Sequence, residues 1–177
     1  LLGLLAGPFR STEIPLLARF RAAFVARDEV RVAQLAAQLH ALRGSRELQD
    51  EERRLGSAFA RALVTLEVAE AAAFVHAPKA SYVAMFGLAA ATYAIDDHEA
   101  AAALSFAWCE NQVAALLRLV PVGQSAGLRL LDAAIACIPR IVEEGLALSD
   151  EDIGFGAPTH AILCARHETQ YSRIFRS

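Results

Sequence analysis

Gly123-Gln124-Ser125-Ala126-Gly127 spells G-x-S-x-G, the pattern that holds a nucleophilic serine on a sharp turn between a strand and a helix. Asp150 or Asp152, followed by His160 or His167, supplies a Ser-Asp-His chain order. Such an elbow must top a parallel sheet, and the sequence upstream offers helices where several βα units are needed. Ser125 is better read as a residue near the start of the helix that follows Pro121. A serine hydrolase is therefore the weaker alternative.

Two acidic clusters, Asp96-Asp97-His98-Glu99 and Asp150-Glu151-Asp152, suggest a magnesium-diphosphate site, because hard cations prefer carboxylate oxygens. The first would need an acid four positions after Asp96, and Ala100 stands there. Both clusters fall where helix starts are expected, so capping is the simpler reading. His160, Cys164 and His167 form a third group. On one helix they project within about 60° of one another, but they span about 10.5 Å of axis, too far to share one ion. They are weak metal candidates, and a packed thiol with two imidazoles is the plainer account. No G-x-x-x-x-G-K-[ST] phosphate loop exists; the single lysine, Lys79, follows Pro78.

The last dozen residues hold the densest chemistry. Arg166, His167, Glu168, Tyr171, Arg173, Phe175 and Arg176 lie within Arg166 to Ser177. Arginine and aromatic side chains are enriched where protein surfaces are buried against partners. The segment reads as a docking element; its alternative is a terminal helix that packs Ile174 and Phe175 on its own core.

The elements that must position these groups are helical. The 177-residue chain suits one domain, and its hydrophobic content of 55% comes mostly through alanine. Ser11-Thr12-Glu13 reads as a cap before a helix with Pro15 in its first turn, running to about Arg27. Asp28 caps the next, which Gly44 stops after about Arg43. Ser45 opens a long helix with Glu47 to Glu52 near its positive end, and that helix or its continuation runs toward His76. Lys79 to Ala94 is apolar on nearly every face and predicts a buried central helix. Asp96 and Glu99 open another, from about Asp97 to Leu119. Leu128, Leu131, Ile135, Ile138 and Val142 form one apolar seam, interrupted at Pro139. Ser149 to Ala157 is a linker, and Pro158 opens the last helix. The expectation is an all-α, single-domain bundle of about seven or eight helices over residues 1–177, with 160–177 as the docking helix or tail.

Cys109, Cys137 and Cys164 are odd in number and widely spaced, which argues for reduced thiols rather than a disulfide scaffold or zinc site. The net charge of −3 hides ten arginines against seven acids in residues 1–61. Those arginines interleave with Glu47, Asp50, Glu51 and Glu52, the pattern of a solvated helix face, so nucleic-acid binding is not expected. No apolar run approaches the ~18 residues of a membrane span. The opening Leu1 to Gly7 lacks the basic region and length of a signal peptide, so a cytoplasmic protein is expected.

Trp108-Cys109-Glu110-Asn111-Gln112-Val113, Leu119-Val120-Pro121-Val122-Gly123-Gln124 and the tail RHETQYSRIFRS together resemble the urease accessory protein family UreF. The resemblance extends through Ser81-Tyr82-Val83 and, more loosely, Ser45 to Phe59. The chain begins Leu-Leu-Gly and lacks the family's Gly-Gly-Phe-Ser-type segment, so the resemblance implies an N-terminally truncated member. It further implies a homodimeric, non-enzymatic helper in urease maturation. Such helpers bind UreD (UreH in some organisms) and recruit the GTPase UreG to urease apoprotein. Nickel would be cargo in transit, and GTP would be held by UreG. The resemblance assigns the UreD contact to Arg166, His167, Glu168, Tyr171, Arg173, Phe175 and Arg176. It makes the loop around Arg118, Pro121, Gly123 and Gln124 a candidate surface for UreG or metal passage. A helical binding module for another partner is the alternative.

Overall fold

A computed structural model describes residues 1–78, 80–121, 123–154, 162–164 and 166–167. Among these residues every regular element is helical. In order they are α1 (Leu2–Leu4), a π-helical turn (Leu5–Phe9), α2 (Arg10–Val25), α3 (Glu29–Leu42) and α4 (Arg46–Thr65). A 3-10 stretch (Ala69–Phe74), α5 (Tyr82–Thr92), α6 (Asp97–Leu119), α7 (Gln124–Leu146) and a short 3-10 turn (Asp150–Asp152) follow. Residues 162–164 and 166–167 are also helical, whereas the expected opening at Pro158 lies outside the described residues. The all-α expectation holds.

The expected central helix is α5, whose Val83, Ala84, Met85, Leu88 and Ala90 are buried. It packs on α2, which also meets α3, α6 and α7. Ile14, Leu16, Leu17 and Phe20 of α2 are fully enclosed, each worth roughly 1.5–3 kcal/mol of burial. The two backbones come close at Gly87, where a Cβ would lie 2.8 Å from the Phe20 Cβ.

Helix starts follow their caps. Asp28 accepts from the Arg31 N–H at 2.8 Å, Ser45 from Leu48 at 3.3 Å, Ser81 from Ala84 at 3.1 Å and Asp96 from Glu99 at 2.9 Å. Each satisfies a donor that the first turn leaves orphaned. Helix ends fall near the expected Arg27, Arg43, Ala94 and Leu119, but three helices end without the usual glycine. α2, α4 and α5 each finish with a non-glycine residue at positive φ: Arg27 (55°), Glu67 (63°) and Ala94 (54°). In each case the next N–H returns five residues, Asp28 to Ala23, Val68 to Leu63 and Ile95 to Ala90. These are Schellman ends built without glycine. The run from Ser45 toward His76 comes in two pieces: α4 stops at Thr65, and the 3-10 stretch Ala69–Phe74 continues it.

Ser11-Thr12-Glu13 is not a cap. All three are buried inside continuous helix, and the Ser11 hydroxyl donates to the Gly7 and Pro8 carbonyls. The helix has already begun upstream and passes Pro8 by widening into the π turn. Pro15 is interior rather than initial. It has no N–H to offer the Ser11 carbonyl one turn earlier. The Gly154 N–H fills that vacancy at 2.9 Å, with Gly154 at φ 98°.

α7 also passes unbroken through Pro139. Its buried stripe is Gly127, Ala134, Ile138, Ile141, Val142 and Gly145, so only part of the expected seam is core. Leu128 is 67% exposed and Ile135 40% exposed, because the helix turns its small residues toward α2 and α6.

Candidate functional site

Arg43, at the end of α3, reaches two neighbouring helices. Its guanidinium lies 2.6 Å from Glu13 Oε1 on α2 and 2.7 Å from Glu52 Oε2 on α4. Glu52 turns its other oxygen to the start of α5. There Oε1 accepts from the Ser81 hydroxyl at 2.9 Å and from the Tyr82 and Val83 N–H groups at 2.8 and 3.3 Å. A carboxylate suits that end because the orphaned N–H groups of a helix start carry partial positive charge. Glu52 is thereby held by five hydrogen bonds, while among the described residues Glu13 Oε2 is buried without a partner. Burial raises the Glu13 carboxyl above its ordinary value, against the attraction of Arg43, whose charge is shared with Glu52. Burial disfavours the Arg43 charge as well, but the two carboxylates outweigh it and hold the guanidinium protonated.

This cluster forms part of the wall of a cleft of about 510 Å³. The cleft brings together segments distant in sequence. Tyr82 and Val83 come from the start of α5, Trp108, Asn111 and Gln112 from α6, and Leu48, Glu51, Glu52 and Leu55 from α4. Cys164 reaches it from the C-terminal region. Trp108 is fixed by Phe9, ring centroids 5.0 Å apart, and Tyr82 by Phe59 and Phe86 at 5.7 and 5.0 Å. Arg43 and Glu52 are thus held by hydrogen bonds, and the aromatic groups of the wall by packing. Such a surface is suited to receiving another group with little rearrangement.

Of the residues expected in the docking tail, Arg166 and His167 are described; Glu168, Tyr171, Arg173, Phe175 and Arg176 lie outside the described residues. His167 Nδ1 is 2.6 Å from Glu47 Oε2, in the first turn of α4. That contact ties the C-terminal region to the helix that forms one side of the cleft. Among the metal candidates, His160 lies outside the described residues. Among the described residues no group of three or more His, Cys, Asp or Glu side chains is arranged to hold a metal ion.

The loop residues Arg118, Pro121, Gly123 and Gln124 close the turn between α6 and α7 and are not among the residues that line the cleft. Ser125 sits in the first turn of α7, preceded by helix α6 instead of a strand, so the elbow geometry is absent there. Gly127, the last residue of that pattern, faces Leu117, whose methyl would lie 3.0 Å from an added Cβ. The acidic clusters are structural. Asp96 caps α6, Asp97 pairs with Arg21 at 3.2 Å, and Asp150 pairs with Arg19 and Arg31 at 2.6 and 3.2 Å. Cys109 is enclosed, and burial, with Cys137 nearby, pushes its thiol up to about 11, the opposite of an activated nucleophile.

The interleaved charges divide into two sets. Asp50–Arg53 and Glu51–Arg54 are exposed i,i+3 pairs, as a solvated face requires. Glu52 is not on that face: it is half-buried, turned toward Arg43 and the buried Glu13. The signal available for it was position alone, since Glu52, Gly56 and Ala60 recur at helical spacing on the buried side of α4. No helix among the described residues is long and apolar enough to cross a membrane.

The UreF family model matches residues 1–135. The urease accessory protein UreF of Alkalilimnicola ehrlichii is 46% identical over 93% of this chain and 72% of its own length. UreF 2 of Brucella anthropi is 38% identical over 99% of the chain and 77% of its own length. UreF of Chromohalobacter salexigens is 37% identical over the whole chain and 76% of its own length. Of the segments that carry the resemblance, Ser45 to Phe59, Ser81 to Val83 and Trp108 to Val113 contribute to the cleft, and the chain belongs to the UreF family of urease accessory proteins.

Proposed function

We propose that the chain acts in urease maturation as a non-catalytic docking protein. In this reading it forms a homodimer, binds UreD (UreH), and through that complex recruits UreG to urease apoprotein for GTP-dependent nickel delivery. Nickel is the cargo and GTP belongs to UreG, so the chain needs no resident cofactor. A cytoplasmic location follows from that role.

Family membership carries the reading, and the cleft supports it. Aromatic and amide side chains from three helices converge there, with Cys164 alongside and the C-terminal region held to α4 by His167 and Glu47. Arg166, His167, Glu168, Tyr171, Arg173, Phe175 and Arg176 supply the UreD contact, with the aromatics as anchors and the arginines meeting acidic groups. The loop of Arg118, Pro121, Gly123 and Gln124 contributes to UreG binding or metal passage.

The test is co-expression with UreD and UreG. A stable ternary assembly is expected, and removal of Arg166 to Ser177 should abolish co-purification with UreD while the helical circular dichroism stays largely intact. Full-strength capture of UreD by the truncated chain would overturn the docking role of that segment. Arg173→Ala should weaken UreD binding by roughly 1–3 kcal/mol. Gln124→Ala with unchanged activation in a reconstituted urease assay would reduce the loop to a connector.

A further inference from the structure

A second groove, of about 450 Å³, runs along another face of α4 and shares no lining residue with the cleft. One wall is Arg53, Ser57 and Arg61, which stand at i, i+4 and i+8 and so share a helix face, with Arg54 beside them. The opposite wall is the turn from Val75 to Pro78, where His76 adds a further basic group among three apolar residues.

The positive charge here is compensated only in part: Arg54 pairs with Glu51 at 2.8 Å, while Arg53 and Arg61 are less well matched. Arg53 meets Asp50 only at 3.4 Å, with both side chains about half exposed. Arg61 is exposed, and among the described residues it has no carboxylate partner. Arg53 and Arg61 are about 12 Å apart along the axis, from eight residues at 1.5 Å each. A partner helix with carboxylates at the same i, i+4, i+8 spacing has the same pitch, so its acids can meet these guanidinium groups in register. Guanidinium favours carboxylate because its fork matches both oxygens. The apolar wall then takes the small side chains between the acids.

A nucleic-acid strand fits less well. Its phosphates continue past so short a strip and would meet Asp50 and Glu51 on the same helix, and the chain as a whole carries −3. We propose that this groove is a docking site for an acidic helical segment of a partner protein, one that presents carboxylates at i, i+4 and i+8. This goes beyond the role assigned to the C-terminal residues and does not depend on it.

The test uses the full chain and four probes: a synthetic helix with Glu at three successive i,i+4 positions, its Gln counterpart, a single-stranded oligonucleotide, and phosphatidylserine vesicles. The Glu helix should bind, and its affinity should fall about tenfold as salt is raised toward ~0.3 M, because exposed charge pairs are screened. Arg53→Glu combined with Arg61→Glu should abolish that binding with the melting temperature unchanged, and a Lys version of the helix should bind the reversed protein instead. Both arginines are exposed, and Arg53→Gln with Arg61→Gln serves if the reversal perturbs folding. Failure of the Glu helix to bind at low salt overturns the proposal. So does equal binding of the Gln helix, equal binding to the reversed or neutralised protein, or tighter binding of the oligonucleotide or the vesicles.

Discussion

Arg43 and Glu13 stand 2.6 Å apart between α3 and α2, and the same guanidinium holds Glu52 on α4. One side chain therefore links three helices, and through Glu52 the start of a fourth. Replacing it should leave the buried Glu13 and the half-buried Glu52 without their cation. Arg43→Met, which keeps the stem but not the charge, should destabilise the fold by about 3–5 kcal/mol in urea denaturation. A loss below about 1 kcal/mol would mean that water reaches the cluster and solvates the acids.

The unequal bonding of the two acids has a pH signature. Glu13 is raised above the ordinary 4.5 by burial, so the folded chain holds its proton more tightly than the unfolded chain does. The stability this group contributes is fully present below 4.5 and is lost as the pH rises through its folded value. Glu13→Gln cannot ionise and lacks that component. The stability difference between the natural chain and Glu13→Gln should therefore shrink, then change sign or level off, as the pH climbs from about 4.5 toward neutrality. A difference that grows with pH would show that Arg43 outweighs burial.

Two glycines test the packing in opposite directions. At Gly56 an added Cβ would lie 2.5 Å from the Ser81 N and 2.6 Å from its carbonyl carbon, both backbone atoms. Gly56→Ala should cost about 1–3 kcal/mol despite the better helix propensity of alanine. Gly3 has nothing within 4 Å, so Gly3→Ala should be neutral or slightly stabilising. Paired thermal melts of the two variants decide it. Equal effects would mean that α4 and the start of α5 can separate at little cost.

Ala94 ends α5 with φ 54°, a conformation that costs an L-residue roughly 1–2 kcal/mol. Ala94→Gly removes that strain while keeping the Ile95 to Ala90 hydrogen bond, and part of the gain is offset by the freer unfolded chain. A net stabilisation of up to about 1 kcal/mol is expected from denaturant titration. Destabilisation would show that the Ala94 methyl makes a contact worth more than the strain.

The same endings explain what could and could not be read from residue order. Starts were legible: Asp28, Ser45 and Asp96 are short polar side chains just before apolar-periodic runs, and each caps where expected. The ends near Arg27, Arg43, Ala94 and Leu119 were legible as well; the end of α4 was not, because Glu67 occupies the place where glycine would have announced a stop. Pro15 and Pro139 misled for the converse reason, since both sit inside helices whose surroundings tolerate a missing donor. The cleft was legible only as separate segments. Tyr82, Trp108, Asn111 and Gln112 belonged to the stretches that carried the resemblance, but nothing local announced that they face one another. The Arg43 cluster was the least visible, because Glu13 and Glu52 resemble cap and surface acids until the helices are packed.

The repair of Pro15 by Gly154 also bears on how the chain acquires its structure during synthesis. The Ser11 carbonyl emerges from the ribosome well before Gly154 and lacks its usual donor, since proline has none. Water must serve it until the glycine near the far end has been made. The first long helix is thus born with a gap that only late translation closes, and a nascent chain halted before that glycine would carry the defect however well its earlier helices had packed.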